Sequence, residues 1–227
     1  MADTYILGDI HGQFNVLYGW LEDHAKTGDT LIQVGDFGVG FVKDWLLDDL
    51  GFEAKKKGVF IKAIRGNHDS PYPFAKGGVY GDNLELIQDY TTQTINGKKY
   101  LFIGGAISID RAWRKEGEDY WKDEVVDYDM SKLDGIEGVD VLITHTCPDF
   151  LSPAPKSFSN IQWALDKDSP LKSELIFERD YMTQVWNKLK ENNSIKSYYY
   201  GHFHVTKTEY VEGSKFRCLN INEMVML

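Results

Sequence analysis

The stretch Tyr5-Ile6-Leu7-Gly8-Asp9-Ile10-His11-Gly12 decides how the chain is read. A short apolar run stops at a glycine, and two side chains able to bind metal follow at once. Phe14, Leu17, Tyr18 and Leu21 then recur at i, i+3, i+4 and i+7, the period of an amphipathic helix. The pattern comes back twice. Leu31-Ile32-Gln33-Val34 ends at Gly35-Asp36, with a helical face of Val42, Trp45, Leu46 and Leu50 behind it, and Val59 to Ile64 ends at Arg65-Gly66-Asn67-His68-Asp69. This β-α-β-α-β opening predicts parallel strands joined by right-handed crossovers.

Further along, Thr91 to Ile95 and Tyr100 to Ile103 flank Asn96-Gly97, a pair that favours the positive φ angles of a type I′ hairpin turn. Val139 to Thr144 reads as a strand ending at His145, and Met182, Val185, Trp186 and Leu189 mark a helix over Glu174 to Lys190. Tyr198 to Tyr200 leads into Gly201-His202, and Val205 to Tyr210 with Phe216 to Ile221 forms a closing hairpin across Glu212-Gly213-Ser214. Between Cys147 and Lys172 stand four of the six prolines, and a connection of that length is expected to be an ordered loop near the site.

The 227 residues suit a single domain spanning 1–227. A hydrophobic fraction of 42% with 14% aromatics is globular and excludes disorder, collagen and coiled coil. Twenty-five basic against thirty-five acidic residues leave a net charge of −10. Such a chain lacks the positive footprint needed to grip long nucleic acids and is repelled by anionic membranes. No apolar run approaches the eighteen or so residues of a membrane span, and the first residues show no leader pattern. Two cysteines, Cys147 and Cys218, form no disulfide framework, so the expected compartment is the cytoplasm.

Metal-binding side chains recur where the apolar strands end: Asp9 and His11, Asp36, Asn67 and His68, His145, then His202 and His204. In open α/β sheets the carboxyl ends of parallel strands converge on one crevice. Five of the six histidines fall in this set, and only His24, in the first helix, stands apart. Asp9, His11, Asp36 and His204 suffice for one divalent cation; Asp36, Asn67, His145 and His202 suffice for a second. Sharing Asp36 would hold the two ions about 3.5–4 Å apart, the spacing of two-metal hydrolytic centres. Carboxylate, imidazole and amide oxygen without thiolate suit manganese foremost, and also iron, zinc or cobalt. A single Gly-Asp pair is ordinary turn chemistry; five such signals at successive strand ends are not.

Gly8-Asp9-Ile10-His11-Gly12, Gly35-Asp36, Gly66-Asn67-His68-Asp69, Thr144-His145 and Gly201-His202-Phe203-His204 together resemble the calcineurin-like metallophosphoesterase superfamily. The resemblance implies an α/β fold of two packed mixed β-sheets flanked by helices, a four-layer αββα sandwich with a dinuclear centre at the sheet edge. It also implies hydrolysis of phosphate esters by a metal-activated hydroxide. His68, beside the ligand Asn67 but not needed as one, is expected to protonate the leaving oxygen, a role worth about 10²–10⁴ in rate. Asp69 either orients His68 or caps the turn before Pro71.

Phosphate favours guanidinium forks, and Arg65, Arg111 and Arg114 are the candidates. Trp113, Tyr120 and Trp121 stand beside the last two as a possible substrate wall, while the competing arrangement pairs Arg111 and Arg114 with Glu116, Glu118 and Asp119. The Ser/Thr protein phosphatases of the superfamily carry Asp-Arg after the second Gly-Asp; Val39 and Gly40 stand there in this chain. The expected activity is a phosphomonoesterase acting on a small molecule, a nucleotide or a phosphoprotein. A phosphodiesterase or nuclease acting on nucleotides or short nucleic acids is the alternative, and a non-catalytic binding module comes last because no ligand position is eroded.

Overall fold

Alternate residues of the strands serve two different cores. Leu7 and Leu31 pack with Leu17, Trp20, Leu47 and Leu50 of the first two helices, while Ile6, Ile32 and Val34 turn to the other face and meet Tyr100, Phe102, Val141, Ile143 and Tyr199. The period of two along a strand thus buries both faces of the sheet. Leu101, Leu142, Tyr198 and Tyr200 point beyond the second sheet to Met182, Val185, Trp186 and Leu189. The outcome is helix, sheet, sheet, helix, the layering expected of the sandwich.

The computed structural model describes residues 2–153 and 158–227. In chain order its elements are β1 (Thr4–Leu7), α1 (Asn15–Asp23), β2 (Thr30–Gln33), α2 (Asp44–Lys57), β3 (Phe60–Ala63), α3 (Pro71–Ala75), β4 (Val79–Tyr80) and β5 (Leu84–Leu86). Then come β6 (Thr91–Ile95), β7 (Lys98–Ile103), β8 (Val141–Thr144), α4 (Gln162–Leu165), α5 (Leu171–Asn192), β9 (Ser197–Tyr200), β10 (Lys207–Val211), β11 (Ser214–Cys218) and β12 (Met224–Met226). One six-stranded sheet runs β12-β1-β2-β3-β5-β4 and the other β10-β11-β9-β8-β7-β6. β1, β2 and β3 are mutually parallel neighbours, as are β7, β8 and β9.

Local chemistry fixes the turns. Asn96 and Gly97 take φ of 48° and 79°, the positive pair a type I′ hairpin requires. Gly58, left-handed at φ 73°, ends α2 by donating its N–H to the Ala54 and Lys55 carbonyls, and Lys55, Lys56 and Lys57 face the negative end of the helix dipole.

Two readings of the chain need revision. The connection 147–172 is not one long loop: Phe158–Ile161 forms a 3-10 turn that runs into α4, and residues 154–157, Pro155 among them, lie outside the described residues. Helix α5 also begins at Leu171 rather than Glu174. Among the described residues, no helix is long and apolar enough to cross a membrane.

Candidate metal centre

Five parallel strands end at one place. β1, β2 and β3 deliver Asp9 with His11, Asp36, and Asn67 from the first sheet, while β8 and β9 deliver His145 and His202 from the second. The seam between the sheets is bridged by the ligand candidates themselves. His145 Nδ1 donates to the Val34 carbonyl at 2.8 Å, and the His202 amide donates to both Asp9 oxygens at 3.0 and 3.2 Å.

Around Asn67 the structure brings the residues of the expected second set close together. Its Oδ1 lies 3.0 Å from His145 Nε2 and 2.9 Å from His202 Nδ1, and His145 Nε2 lies 3.3 Å from Asp36 Oδ1. Such separations match the edge of a coordination shell with bonds of about 2.1 Å. Because Nδ1 of His145 is committed to Val34, its Nε2 is left facing the centre, the arrangement of a metal-binding imidazole. The first set converges beside it: Asp9, His11, Asp36 and His204 each place a ligand atom within 4.8 Å of the others. Within it His204 Nε2 is 3.1 Å from Asp9 Oδ2 and 3.2 Å from His11 Nε2.

The electrostatics ask for cations. Asp9, Asp36, Asn67 and His145 are all essentially excluded from water. Burial alone would raise the Asp36 carboxyl, but His145, His68 and His11 outweigh it and hold the group well below the usual carboxylate range. Burial likewise lowers His145, yet Asp36 and Asp9 lift it to about 9. Burial, with His145 beside it, drives His202 well below its ordinary value, which keeps the ring neutral and its lone pair available. The carboxylate oxygens of Asp9 and Asp36, gathered with imidazole nitrogens and an amide oxygen, are a donor set that fits divalent ions.

Glycines let the ligands close in. A Cβ on Gly35 would sit 2.3 Å from His145 Nδ1, one on Gly66 2.0 Å from Asp36 Oδ1, and one on Gly201 2.0 Å from Asp9 Oδ1. Four ligand candidates themselves adopt left-handed backbone, with φ of 46° at His11, 59° at Asp36, 66° at His202 and 51° at His204, a region L-residues visit at a cost. Gln33, which sequence reasoning passed over, ties two of these turns together by donating from Nε2 to the Gly8 carbonyl at 3.2 Å and accepting the Gly35 amide at 3.0 Å.

The remaining expected site residues divide. His68 is half-buried at the edge of the centre. Its backbone amide donates to Asp36 Oδ1 at 2.8 Å, its ring lies 5.3 Å from that of His11, and its Nε2 is 3.4 Å from Nη2 of Arg114. Burial lowers its pKa, Asp36 opposes this, and Arg114 reinforces it. Arg114 therefore reaches the centre, with Asp110 holding Nε and Nη2 at 2.7 Å each and the Asp119 carbonyl holding Nη1.

Arg65, Arg111 and Asp69 do other work. Arg65 is buried, and its guanidinium donates to Asp89 and to the carbonyls of Asp123, Glu124 and Val125, so it fastens the 123–125 segment and is not placed as a phosphate ligand. Arg111 pairs with Asp168 and Glu174, neither of them the partners expected from its neighbours, and anchors the approach to α5. Asp69 accepts the amides of Phe37, Gly38, Val39 and Gly66 at 2.7–3.0 Å. Both its oxygens are taken by this backbone, so the expectation that it orients His68 gives way to a role in shaping the loop after Asp36. His24 is exposed at the end of α1, apart from the centre.

Residues 3–206 match the model of the calcineurin-like phosphoesterase family. The chain belongs to that family and is a phosphoesterase, a hydrolase. No curated protein matches the sequence significantly. Among solved structures, TT1561 of Thermus thermophilus is similar with a TM-score of 0.58 at 14% identity, over 98% of this chain and 97% of its own. The phosphopantetheinyl hydrolase PptH from Mycobacterium tuberculosis is similar with a TM-score of 0.53 at 14% identity, over 97% and 90% respectively. At that identity the likeness concerns the fold.

Proposed function

We propose that the protein is a metal-dependent phosphomonoesterase. The observation that supports this is the cluster of Asp9, His11, Asp36 and His204, with Asn67, His145 and His202 gathered beside its Asp36 and His68 and Arg114 at the edge. Divalent ions bound there, manganese foremost, supply the Lewis acidity that activates water and polarises the phosphoryl oxygens. This chain's own residues supply the rest. Asp9, Asp36 and the imidazoles fix the donor positions. Arg114 offers Nη2 to a phosphoryl oxygen, and His68 Nε2 stands next to it, where it can protonate the departing alkoxide. The buried free cysteines fit a reducing cytoplasm.

One feature favours a second reading. Trp113 and Trp163, each about half exposed, lie with ring centroids 4.9 Å apart, and Trp113 immediately precedes Arg114. A tryptophan pair at that place suits stacking against a planar leaving group such as a nucleobase, which would fit a phosphodiesterase acting on nucleotides. Turnover of p-nitrophenyl phosphate and bis-p-nitrophenyl phosphate with manganese, zinc, iron and cobalt separates the two. Preference for the monoester supports the first reading and preference for the diester the second. Turnover of neither with any metal overturns both and leaves a binding module.

A further inference from the structure

The side chain of Asn67 has two nearly isosteric ends, and only its oxygen can bind a cation. Its surroundings favour the wrong end. His145 presents Nε2, His202 presents Nδ1 and Asp36 presents a carboxylate oxygen towards it. The Asp36 carboxylate oxygen would welcome an N–H donor, as would any ring nitrogen bare enough to bind an ion, so without a counterweight nothing stops the amide from turning its NH₂ group into the centre.

A counterweight is present on the other side. Asn67 Nδ2 donates to Ser108 Oγ at 3.0 Å. Ser108 in turn donates its hydroxyl to Glu124 Oε2 at 2.9 Å and its backbone amide to Oε1 at 2.7 Å. All three residues are buried, at 2% exposure or less. Ionised, Glu124 uses both oxygens as acceptors for Ser108; burial pushes its carboxyl up to about 8, against these two hydrogen bonds and the nearby Arg114 and Arg111, so the chain points this way on the alkaline side of that value. With its one proton pointing at Glu124, Ser108 Oγ has only lone pairs left for Asn67, and a lone pair can be met only by the NH₂ end.

We propose that Ser108 and Glu124 are positioning residues for the second ion: their one-way hydrogen-bond chain holds Asn67 with its carbonyl oxygen facing His145, His202 and Asp36. This rests on the reading that those four residues hold an ion. Neither residue touches the donor atoms, and neither carries a motif that announces it. Glu124 sits 57 positions from Asn67 and reaches it only because Arg65 pins the carbonyls of 123–125. Replacing Glu124 by glutamine reverses the chain, because the new NH₂ group donates to Ser108 Oγ, frees the hydroxyl proton to point at Asn67, and rewards the turned amide.

The test is calorimetric titration of metal-stripped protein with Mn²⁺ at pH 8.5, where the Glu124 carboxylate predominates, in wild type, Ser108→Ala, Glu124→Gln, Asn67→Ala and the Ser108→Ala/Asn67→Ala double variant. Thermal unfolding of each metal-stripped protein is followed alongside. Wild type is expected to bind two ions. Ser108→Ala and Glu124→Gln should each weaken one of them by about 10–100-fold while leaving the other unchanged, the usual cost of losing a group that orients a ligand. In the Asn67→Ala background Ser108→Ala should cost nothing further, because the effect passes through Asn67. Two wild-type affinities in the single variants overturn the positioning role while leaving the metal centre standing, as does an additive loss in the double variant. A wild type that binds fewer than two Mn²⁺ overturns the two-ion reading together with it. Should Glu124→Gln fail to fold, the Ser108 and Asn67 cycle decides alone.

Discussion

Nη2 of Arg114 stands 3.4 Å from Nε2 of His68. This places a permanent cation against the imidazole proposed to give its proton to the leaving group. Of the three arginines flagged in the sequence, this one faces the centre, while Arg65 and Arg111 spend their donors on the protein itself. Arg114→Ala is therefore expected to raise KM for a phosphate ester about 10–100-fold, the loss of a charge-assisted hydrogen bond of about 1.5–3 kcal/mol. Arg111→Ala should leave KM near wild type and lower unfolding stability by about 1–3 kcal/mol, since it strands Asp168. Steady-state kinetics and urea titration of both variants check this; equal KM effects would contradict it.

His68 donates no ligand atom to either donor set, so removing its ring should spare the metals. His68→Ala is expected to keep wild-type Mn²⁺ stoichiometry and lose about 10²–10⁴ in kcat on alkyl phosphates. The loss should be much smaller with p-nitrophenyl phosphate, whose leaving group departs without needing a proton. The ratio of the two rates, measured against wild type, is the readout. A uniform loss on both substrates would remove His68 from proton transfer.

Asp69 offers a contrast in the same turn. Four backbone amides converge on its carboxylate, and asparagine would set an NH₂ group against them. Asp69→Asn should cost about 1–3 kcal/mol of stability for each donor pair it disrupts. It should leave the alkyl-to-aryl rate ratio unchanged in whatever protein folds. Denaturant unfolding and the two-substrate comparison together check it.

Glu178, on α5 behind His145, is fully buried, and Thr146 Oγ1 donates to its Oε1 at 3.0 Å. Burial pushes its carboxyl up to about 7. A carboxyl raised on folding binds its proton more tightly in the native than in the unfolded state. Stability is then greatest below its unfolded value near 4.5 and falls as pH rises through about 7. The loss amounts to about 3 kcal/mol at most. Glu178→Gln should flatten the fall in melting temperature between pH 5 and pH 8 and make the variant the more stable protein at pH 8. An unchanged slope would show that Glu178 stays ionised throughout.

What could be read in advance follows physical locality. Asp9, Asp36, Asn67, His145 and His202 were legible because each closely follows an apolar strand, four of them directly after a glycine, and parallel strands deliver their ends to one edge. Arg65 was not, because its acceptors lie 24 and 58–60 positions away and only the folded chain brings them near. Ser108 and Glu124 lacked a signal for the same reason. Strands β4, β5 and β12 are two or three residues long, too short for alternation to register. The Pro-rich connection hid a 3-10 turn and α4 because its helical register is interrupted within one turn.

The left-handed backbone at His11, Asp36, His202 and His204 has a consequence for ancestry as well as for chemistry. Each such residue costs the folded chain about 1 kcal/mol or more that glycine would not incur. His204, with a side chain 43% exposed, has little packing to lose. His204→Gly sheds that strain but also the 3.1 Å contact with buried Asp9, so it should melt close to the metal-stripped wild type. A lineage that gave up hydrolysis would shed these tensions one by one, so an inactive descendant of this scaffold would be the sturdier molecule, with glycine standing where a histidine once worked.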